Sequence, residues 1–270
     1  MDFIKMHGLG NDFIIVDTRA GQSFPGQDLI VSLSNRKTGI GCDQFIVLCT
    51  PENHDADVML KMFNADGSVT GACGNATRCV GDLIAEETGK KDVVIQTEAG
   101  LLYAHRENDG RICVDMGVPK TNWADIPLAR KIDTMQVNTG LDGLPDGVCV
   151  NVGNPHCVFF MTDDVTGLDL EAIGPRIEHH ALFPERVNAE FINVIDESTL
   201  RMRVWERGAG ETDACGTGAC ASVVAAALAN LAGRHCRVIL NGGNLDFHWR
   251  EEDGHILMTG PVAYVFKGSF

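Results

Sequence analysis

Positive charge is scarce in this 270-residue sequence, which has 22 Lys and Arg residues against 37 Asp and Glu residues and a formal net charge of −15. Nucleic-acid backbones and anionic lipids bind proteins largely through Lys and Arg, so neither is expected as a partner. The uncharged stretch 214–233 consists mainly of small residues and is too weakly apolar to predict a membrane span. The first residues show no secretory or transit-peptide pattern, which favours the cytoplasm.

Motifs for metals and nucleotides are also missing. The ten cysteines include no CxxC pair, and without an export signal they are expected to be reduced thiols. GLGNDF (8–13) lacks the third glycine of a dinucleotide-binding motif, and GIGCDQ (39–44) lacks the lysine of a P-loop. No metal, disulfide or nucleotide site is therefore predicted, and the chemistry of the thiols becomes the main question.

What the sequence does contain is an internal repeat. GACGNA (71–76) resembles DACGTG (213–218), and GLGND (8–12) resembles NVGNP (151–155) at nearly the same offset. Two later matches, VVIQTEAG with RVILNGG and MGVP with MTGPV, keep the same order. The repeat predicts two duplicated domains, 1–118 and 119–261, with the terminal segment 262–270 packing on the first.

Each half is predicted to contain β-strands around one helix. After Cys73, apolar residues follow helical spacing until Gly89, and after Cys215 an uncharged run continues to Gly233. A helix without charge is expected to be buried on every side, and a curled sheet can cover it. The predicted strands are the β-rich runs FIIVD, QFIVL, DVVIQT, RICVDM, HCVFFM, EFINVI, RMRVW and HILMTG.

The two repeated cysteines, Cys73 and Cys215, precede the two predicted helices. The positive end of a helix dipole stabilises a thiolate, so both thiols are expected to have a lowered pKa and to act as bases. The N–H groups that follow each cysteine suit a carboxylate. If the two halves face one substrate, one thiolate can remove an α-proton while the opposite thiol delivers a proton to the other face. The other eight cysteines are interpreted as packing residues: Cys42, Cys49, Cys79, Cys113, Cys149, Cys157, Cys220 and Cys236.

Four motifs together resemble those of the diaminopimelate epimerase family: HGLGNDF (7–13), CGNATRC (73–79), GNPHCV (153–158) and ERGAGETDACGTGACA (206–221). The resemblance spans the whole length. It implies an enzyme without cofactor or metal that interconverts L,L-diaminopimelate and meso-diaminopimelate in lysine and peptidoglycan precursor synthesis. It also implies an α+β fold with two pseudo-symmetric domains, each a mixed β-sheet rolled into a barrel around a central helix.

The resemblance also assigns roles to individual residues. Cys73 and Cys215 match the acid/base pair, and His156 and Glu206 match positions that tune the thiols. The implied substrate contacts are Gly74, Asn75, Gly216 and Thr217 for the reacting carboxylate, Asn11 and Gln44 for the reacting amine, Asn64, Asn154, Asn188 and Arg207 for the far carboxylate, and Glu206 for the far ammonium group.

The sequence departs from the family pattern at two places. Ala76-Thr77 replaces the Gly-Ala commonly found after CGN, and Phe266 replaces a tyrosine associated with contact in a homodimer. Three other interpretations remain. A proline- or histidine-type racemase that does not use pyridoxal would share the cysteine pair without Glu206-Arg207. A thiol redox or zinc protein would carry CxxC or clustered ligands. A ligand-binding protein on the same fold would be expected to lack one of the cysteines.

Overall fold

A computed structural model describes residues 1–71 and 73–270 of the chain. Ala72, which belongs to the repeated Ala-Cys-Gly motif, lies outside the described residues. The chain forms two compact units, the first made of Met1–Asp115 and Thr259–Phe270 and the second of Met116–Met258. The sequence prediction placed the corresponding divisions after residues 118 and 261.

The described elements follow one another in two similar series. The first series is β1 (Asp2–Gly8), β2 (Asn11–Asp17), α1 (Gln27–Ser34), β3 (Gln44–Cys49), β4 (Val58–Asn64), β5 (Val69–Thr70), α2 (Gly74–Thr88), β6 (Asp92–Thr97), β7 (Gly100–Arg106) and β8 (Ile112–Asp115). The second is β9 (Val148–Asn151), β10 (Pro155–Phe160), a 3₁₀ turn (Val165–Gly167), α3 (Leu170–Glu178), β11 (Asn188–Asp196), β12 (Thr199–Glu206), β13 (Gly210–Glu211), α4 (Gly216–Leu228), β14 (His235–Leu240) and β15 (Gly243–Trp249), followed by β16 (Ile256–Gly260) and β17 (Ala263–Ser269).

Strand pairing repeats between the units. In the first unit β1 and β2 are antiparallel, β2 and β3 parallel, β3 and β4 antiparallel, β4 and β6 parallel, and β6 and β7 antiparallel. The strands β9, β10, β11, β12, β14 and β15 repeat that succession in the second unit. The fold therefore consists of two repeated α+β domains with mixed sheets, as the sequence predicts. Strand β17 pairs antiparallel with β1 and so joins the sheet of the first unit.

One central helix packs against each sheet. Helix α2 contacts β1, β6, β7 and β8, and helix α4 contacts β9, β10, β11, β12, β14 and β15. Residues 218–226 of α4 are all buried, which confirms the prediction of a helix covered on every side. Such a helix can lack charge because none of its faces meets water over this length.

Two details of the helix prediction were wrong. Helix α4 ends at Leu228 rather than near Gly233, because Asn230 has a φ of 56° and the N–H groups of the next two residues return to the carbonyl of Ala226. Each half also has a second, short helix, α1 or α3. Helix α3 contains Pro175, so its sequence does not show a helical pattern. The end of α2 was predicted correctly, since Gly89 has a φ of 71° and caps Ala85.

A tight turn positions the first of the candidate site residues. Leu9 and Gly10 have φ angles of 56° and 93°, and Gly8 pairs with Asn11, which is the geometry of a two-residue hairpin with both central φ values positive. Asn11 is therefore the first residue of β2. Among the described residues, no helix combines the length and apolar character needed to cross a membrane.

Candidate active site

The first candidate site is built around Cys73, which caps the N-terminus of α2 in an extended conformation. Its Sγ donates a hydrogen bond to Asn11 Oδ1 at 3.6 Å, and Asn75 Nδ2 donates to the same oxygen at 3.2 Å. The backbone N–H and the hydroxyl of Thr77 both donate to the Cys73 carbonyl at 2.9 Å, closing the first helical turn. The half-buried thiol thus lies at the positive end of the helix, beside an amide oxygen.

Gln44 and Asn64 form a second pair in this unit, at the start of β3 and the end of β4. Gln44 Nε2 donates to Asn64 Oδ1 at 3.4 Å, and Asn64 Nδ2 donates to Ser68 Oγ at 3.0 Å. Gln44 Oε1 is buried and has no hydrogen-bond partner within the described part of the chain. A buried acceptor without a partner is costly, so this oxygen suits a donor such as an ammonium group.

The second candidate site is built around Cys215, which caps α4 and is only 5% exposed. Its Sγ accepts a hydrogen bond from the Gly218 N–H at 3.4 Å and lies 3.5 Å from Thr217 Oγ1. The predicted lowering of its pKa was wrong. Burial, together with the nearby carboxylates of Glu206 and Glu190, raises the pKa of Cys215 well above its ordinary value, and the two hydrogen bonds do not offset this. The surroundings of Cys215 therefore favour its protonated thiol form.

A buried histidine–glutamate pair lies beside Cys215. His156 Nδ1 is 2.7 Å from Glu190 Oε1, both side chains are 0% exposed, and His156 Nε2 is 2.8 Å from Asn154 Oδ1. Burial raises the pKa of Glu190, and the opposing charge and hydrogen bond of His156 limit the rise. The sequence analysis missed Glu190. Its signal was a single acid in the apolar run AEFINVI (189–195), where a charge is unusual.

Helix α4 needs glycine at position 218 to approach this pair. A Cβ on Gly218 would lie 2.6 Å from Glu190 Oε1 and 3.3 Å from Cys215 Sγ. The first of these distances is shorter than real Cβ contacts allow. The absence of a side chain therefore lets the carboxylate and the thiol approach the same turn of the helix.

The remaining predicted residues of this unit lie at the strand ends near α4. Asn188, at the start of β11, donates to the Pro155 carbonyl at 2.8 Å and accepts from the Arg207 N–H at 2.9 Å. Glu206, at the end of β12, accepts a hydrogen bond from the Thr212 hydroxyl. The Arg207 side chain is exposed, and its Nη1 donates to the Glu185 carbonyl at 3.1 Å.

The carboxylate of Glu178, which was also not predicted from the sequence, contacts the chain at the end of β12. Glu178 is 4% exposed and accepts hydrogen bonds from Trp205 Nε1 at 2.8 Å and from the Gly208 N–H at 2.9 Å. These contacts fix the chain on both sides of Glu206-Arg207. Its position on α3, a helix that the sequence analysis did not predict, explains why it was missed.

No cluster of three or more His, Cys, Asp or Glu side chains that could hold a metal ion occurs in residues 1–71 and 73–270. The residues that converge at each site are instead amides, a thiol, a helix N-terminus and, in the second unit, carboxylates and one histidine. Such groups bind zwitterions and transfer protons.

Solved structures share this fold. A Bacillus anthracis phenazine biosynthesis protein of the PhzF family superposes with a TM-score of 0.70 at 15% identity, covering 99% of this chain and 98% of its own. A probable proline racemase from Agrobacterium radiobacter gives 0.69 at 14% identity, covering 100% and 92%. At these identities the likeness concerns the fold alone. The protein is thus a two-domain α+β protein of this structural class, with a cysteine at the start of each central helix.

The sequence comparison is more specific. The family model of diaminopimelate epimerase matches residues 3–122 and 148–265. Curated diaminopimelate epimerases from Rhodospirillum centenum and Zymomonas mobilis are each 48% identical over 266 residues, covering 98% of this chain and 91% and 96% of their own lengths. The chain belongs to the diaminopimelate epimerase family.

Proposed function

We propose that the protein is a diaminopimelate epimerase, an isomerase that interconverts L,L-diaminopimelate and meso-diaminopimelate in lysine and peptidoglycan precursor synthesis. The observation that carries this proposal is the 48% identity to curated diaminopimelate epimerases over 98% of the chain. The two cysteines at equivalent helix N-termini supply the chemistry that such a reaction needs.

The proposed reaction uses two bases. One cysteine, as a thiolate, takes the α-proton, and the other, as a thiol, gives a proton to the opposite face of the carbanion, so that the configuration inverts. The reverse reaction exchanges the two roles. The raised pKa of Cys215 supports its role as the proton donor when Cys73 is the base. The first N–H groups of α2 and α4 would stabilise the negative charge that develops on the reacting carboxylate.

Substrate contacts follow from the donors and acceptors at the two sites. Gln44 Oε1 and Asn11 Oδ1 are acceptors that suit the reacting ammonium group, and Glu206 suits the far ammonium group. The exposed guanidinium of Arg207 suits the far carboxylate. The proposed set also includes Gly74, Asn75, Gly216 and Thr217 for the reacting carboxylate, Asn64, Asn154 and Asn188 for the far carboxylate, and His156 with Glu206 for tuning the thiols.

Glu206 would couple substrate binding to the ionisation of Cys215. Its carboxylate is the largest cause, after burial, of the raised pKa of Cys215. An ammonium group bound by Glu206 would offset that negative charge and lower the pKa of the thiol. Cys215 would therefore ionise more readily when the substrate is present.

The proposal extends to assembly and location. The enzyme would need no added cofactor and would act in the cytoplasm on a free amino acid. Its two domains would be the duplicated halves that the sequence predicts. Strand β17 exposes Tyr264, Val265 and Phe266 at 40%, 52% and 48%. Neighbouring exposed apolar side chains on one strand support a homodimer that covers them.

Incubation with L,L-diaminopimelate in deuterium oxide tests the function. Without pyridoxal phosphate and with a chelator present, the protein should convert the substrate to the meso form and introduce deuterium at the α-carbon. Cys73→Ala and Cys215→Ala should each abolish epimerisation with little change in thermal unfolding. Exchange with proline or histidine instead of diaminopimelate would favour another racemase, and binding without exchange would favour a ligand-binding protein.

A further inference from the structure

Four charged side chains of the first unit form a linked group, here called the Asp12 cluster: Lys5, Asp12, Arg36 and Asp43. Lys5 Nζ lies 2.6 Å from Asp12 Oδ2, and Arg36 Nη2 lies 2.7 Å from both Asp12 Oδ1 and Asp43 Oδ1. Burial raises the pKa of Asp12, but hydrogen bonds from Arg36 and Lys5 outweigh it and hold the pKa far below its ordinary value. Two cations and two carboxylates therefore lie in direct contact with one another.

Asp43 connects the Asp12 cluster to the candidate site. Its Oδ2 accepts hydrogen bonds from Asn11 Nδ2 and from the Asp12 N–H, both at 3.0 Å. Its own N–H donates to Asp12 Oδ1 at 2.9 Å, and its Oδ1 binds Arg36. Contacts with the backbone of Asp12 and the guanidinium of Arg36 thus hold the Asp43 carboxylate in place independently of its contact with the Asn11 amide.

The contact with Asp43 determines which way the Asn11 amide faces. An ionised carboxylate can only accept hydrogen bonds, so the NH₂ group of Asn11 must point to Asp43. The carbonyl oxygen then points to Cys73 Sγ and Asn75 Nδ2. Without this restraint, rotation of the amide would bring its NH₂ group to the sulfur.

We propose that Asp43 is a positioning residue for the epimerase reaction, because it aims the Asn11 carbonyl oxygen at Cys73 and so keeps that thiol protonated until a substrate ammonium group takes the oxygen. The inference rests on the proposed function, but the contacts concern the protein without substrate. A hydrogen bond accepted from the neutral thiol disfavours the thiolate. An ammonium group that competes for Asn11 Oδ1 would remove this restraint as the substrate binds.

Other charged and titratable groups are carried by the elements around Cys73, so a direct charge effect must be separated from the effect of amide orientation. These groups are Arg78, Cys79 and Asp82 on α2, Lys5 and His7 on β1, Asp12 on β2, and Arg36 and Asp43 on the loop before β3. Loss of the Asp43 charge would itself favour a thiolate. A double-mutant cycle with Asn11 distinguishes the two effects, since only the effect of orientation passes through that side chain.

The experiment measures the pH at which Cys73 becomes half-reactive towards a small alkylating reagent, followed on its own peptide. Asp43→Ala should lower this midpoint by about one pH unit, which is the worth of roughly one hydrogen bond. Asn11→Ala should lower it similarly, and adding Asp43→Ala to Asn11→Ala should produce a much smaller further shift, which is the direct charge effect alone. Asp57→Ala is the matched control, because Asp57 binds Lys90 and the Val94 N–H of the same unit. Its midpoint should equal that of the unmodified protein.

Two results would overturn the inference. One is an unchanged midpoint in Asp43→Ala, and the other is a shift of undiminished size when Asp43→Ala is added to Asn11→Ala. Asp43→Leu, which keeps a side chain of similar length and cannot accept a hydrogen bond, replaces Asp43→Ala in the same cycle if the alanine variant folds poorly. The measurement uses no substrate, so it remains decisive even if the protein proves to act on a different amino acid.

Discussion

Replacing Gly218 with alanine tests the geometry of the second site most directly. The new Cβ would lie 2.6 Å from Glu190 Oε1 and 3.3 Å from Cys215 Sγ, and real Cβ contacts stay beyond 3.0 Å. Glu190 cannot move cheaply, because it is fully buried and lies 2.7 Å from His156 Nδ1. Overpacking of a core costs about 1–3 kcal/mol, whereas replacing a helical glycine gains about 1 kcal/mol. The net loss of stability should therefore be at most about 2 kcal/mol.

The loss of activity in Gly218→Ala should exceed the loss of stability, since a 100-fold fall in rate corresponds to about 2.7 kcal/mol. Displacing a reacting group by about 1 Å can reduce a rate roughly 100-fold. We expect a fall in kcat of about that size, measured by the appearance of meso-diaminopimelate from the L,L form, with unfolding by urea followed in parallel.

Gly81→Ala is the matched control in the other central helix. Its Cβ would lie 2.7 Å from the Cβ of Ala104, which is fixed to strand β7 and cannot rotate away. With the same gain from replacing a helical glycine, this variant should lose at most about 2 kcal/mol of stability. Its turnover per folded molecule should remain normal. Normal kcat in Gly218→Ala, or an equal loss of kcat in Gly81→Ala, would refute the reasoning.

Three further predictions concern charge and assembly. Glu190→Gln removes a carboxylate that raises the pKa of Cys215, so the basic limb of kcat/KM against pH should move to lower pH; an unchanged limb would contradict this. The pKa of Asp12 lies below its ordinary 3.8, so the ionised carboxylate stabilises the fold above that pH and this stabilisation is lost in acid. Asp12→Asn should therefore lower the free energy of unfolding at neutral pH, and that free energy should fall less than in the unmodified protein when the pH is lowered to ~3, as measured by urea unfolding. An equal fall in acid would argue against the ion pair with Lys5. Phe266→Asp should convert the proposed dimer to a monomer in sedimentation, and a monomeric unmodified protein would disprove that proposal.

The central elements of the fold could be predicted because their sequence signals are local. Apolar and polar residues do not alternate in the run FIIVD (13–17), which is typical of a strand buried on both faces. In the structure Ile14 and Val16 pack against α1, and Phe13 and Ile15 are buried as well. Helix α2 combines apolar spacing with a glycine stop. Helices α1 and α3 are too short for a clear periodicity. Helix α3 also contains Pro175 and Gly174, and the glycine packs directly on the Trp205 ring.

The site could be predicted as far as the residue types that contact a substrate, but not the groups that position them. Asp43 and Asn11 belong to different segments, and their contact arises only when β2 and β3 pair in parallel. The ionisation of Cys215 shows the same limit. Its local sequence indicates a helix N-terminus and a lowered pKa, whereas the opposing carboxylates come from β11 and β12, which lie earlier in the chain.

The repeated registers show where the two halves have diverged. Phe13 pairs with Gln44 across β2 and β3, as His156 pairs with Asn188 across β10 and β11. Two residues further along each pair, Ile46 of the first unit corresponds to Glu190 of the second. The buried His156–Glu190 pair of the second unit therefore lies where the first unit has two buried apolar side chains, Phe13 and Ile46.

The first turns of α2 and α4 have diverged in the same way as the neighbouring strands. The third residue after each cysteine is Ala76 in the first unit and Gly218 in the second, and only the second must leave room for a carboxylate. Consequently one thiol lies near buried negative charge and the other contacts an amide. The substitutions that break the symmetry of the repeat thus place the two cysteines in different surroundings, with buried carboxylates near Cys215 and the Asn11 amide in contact with Cys73.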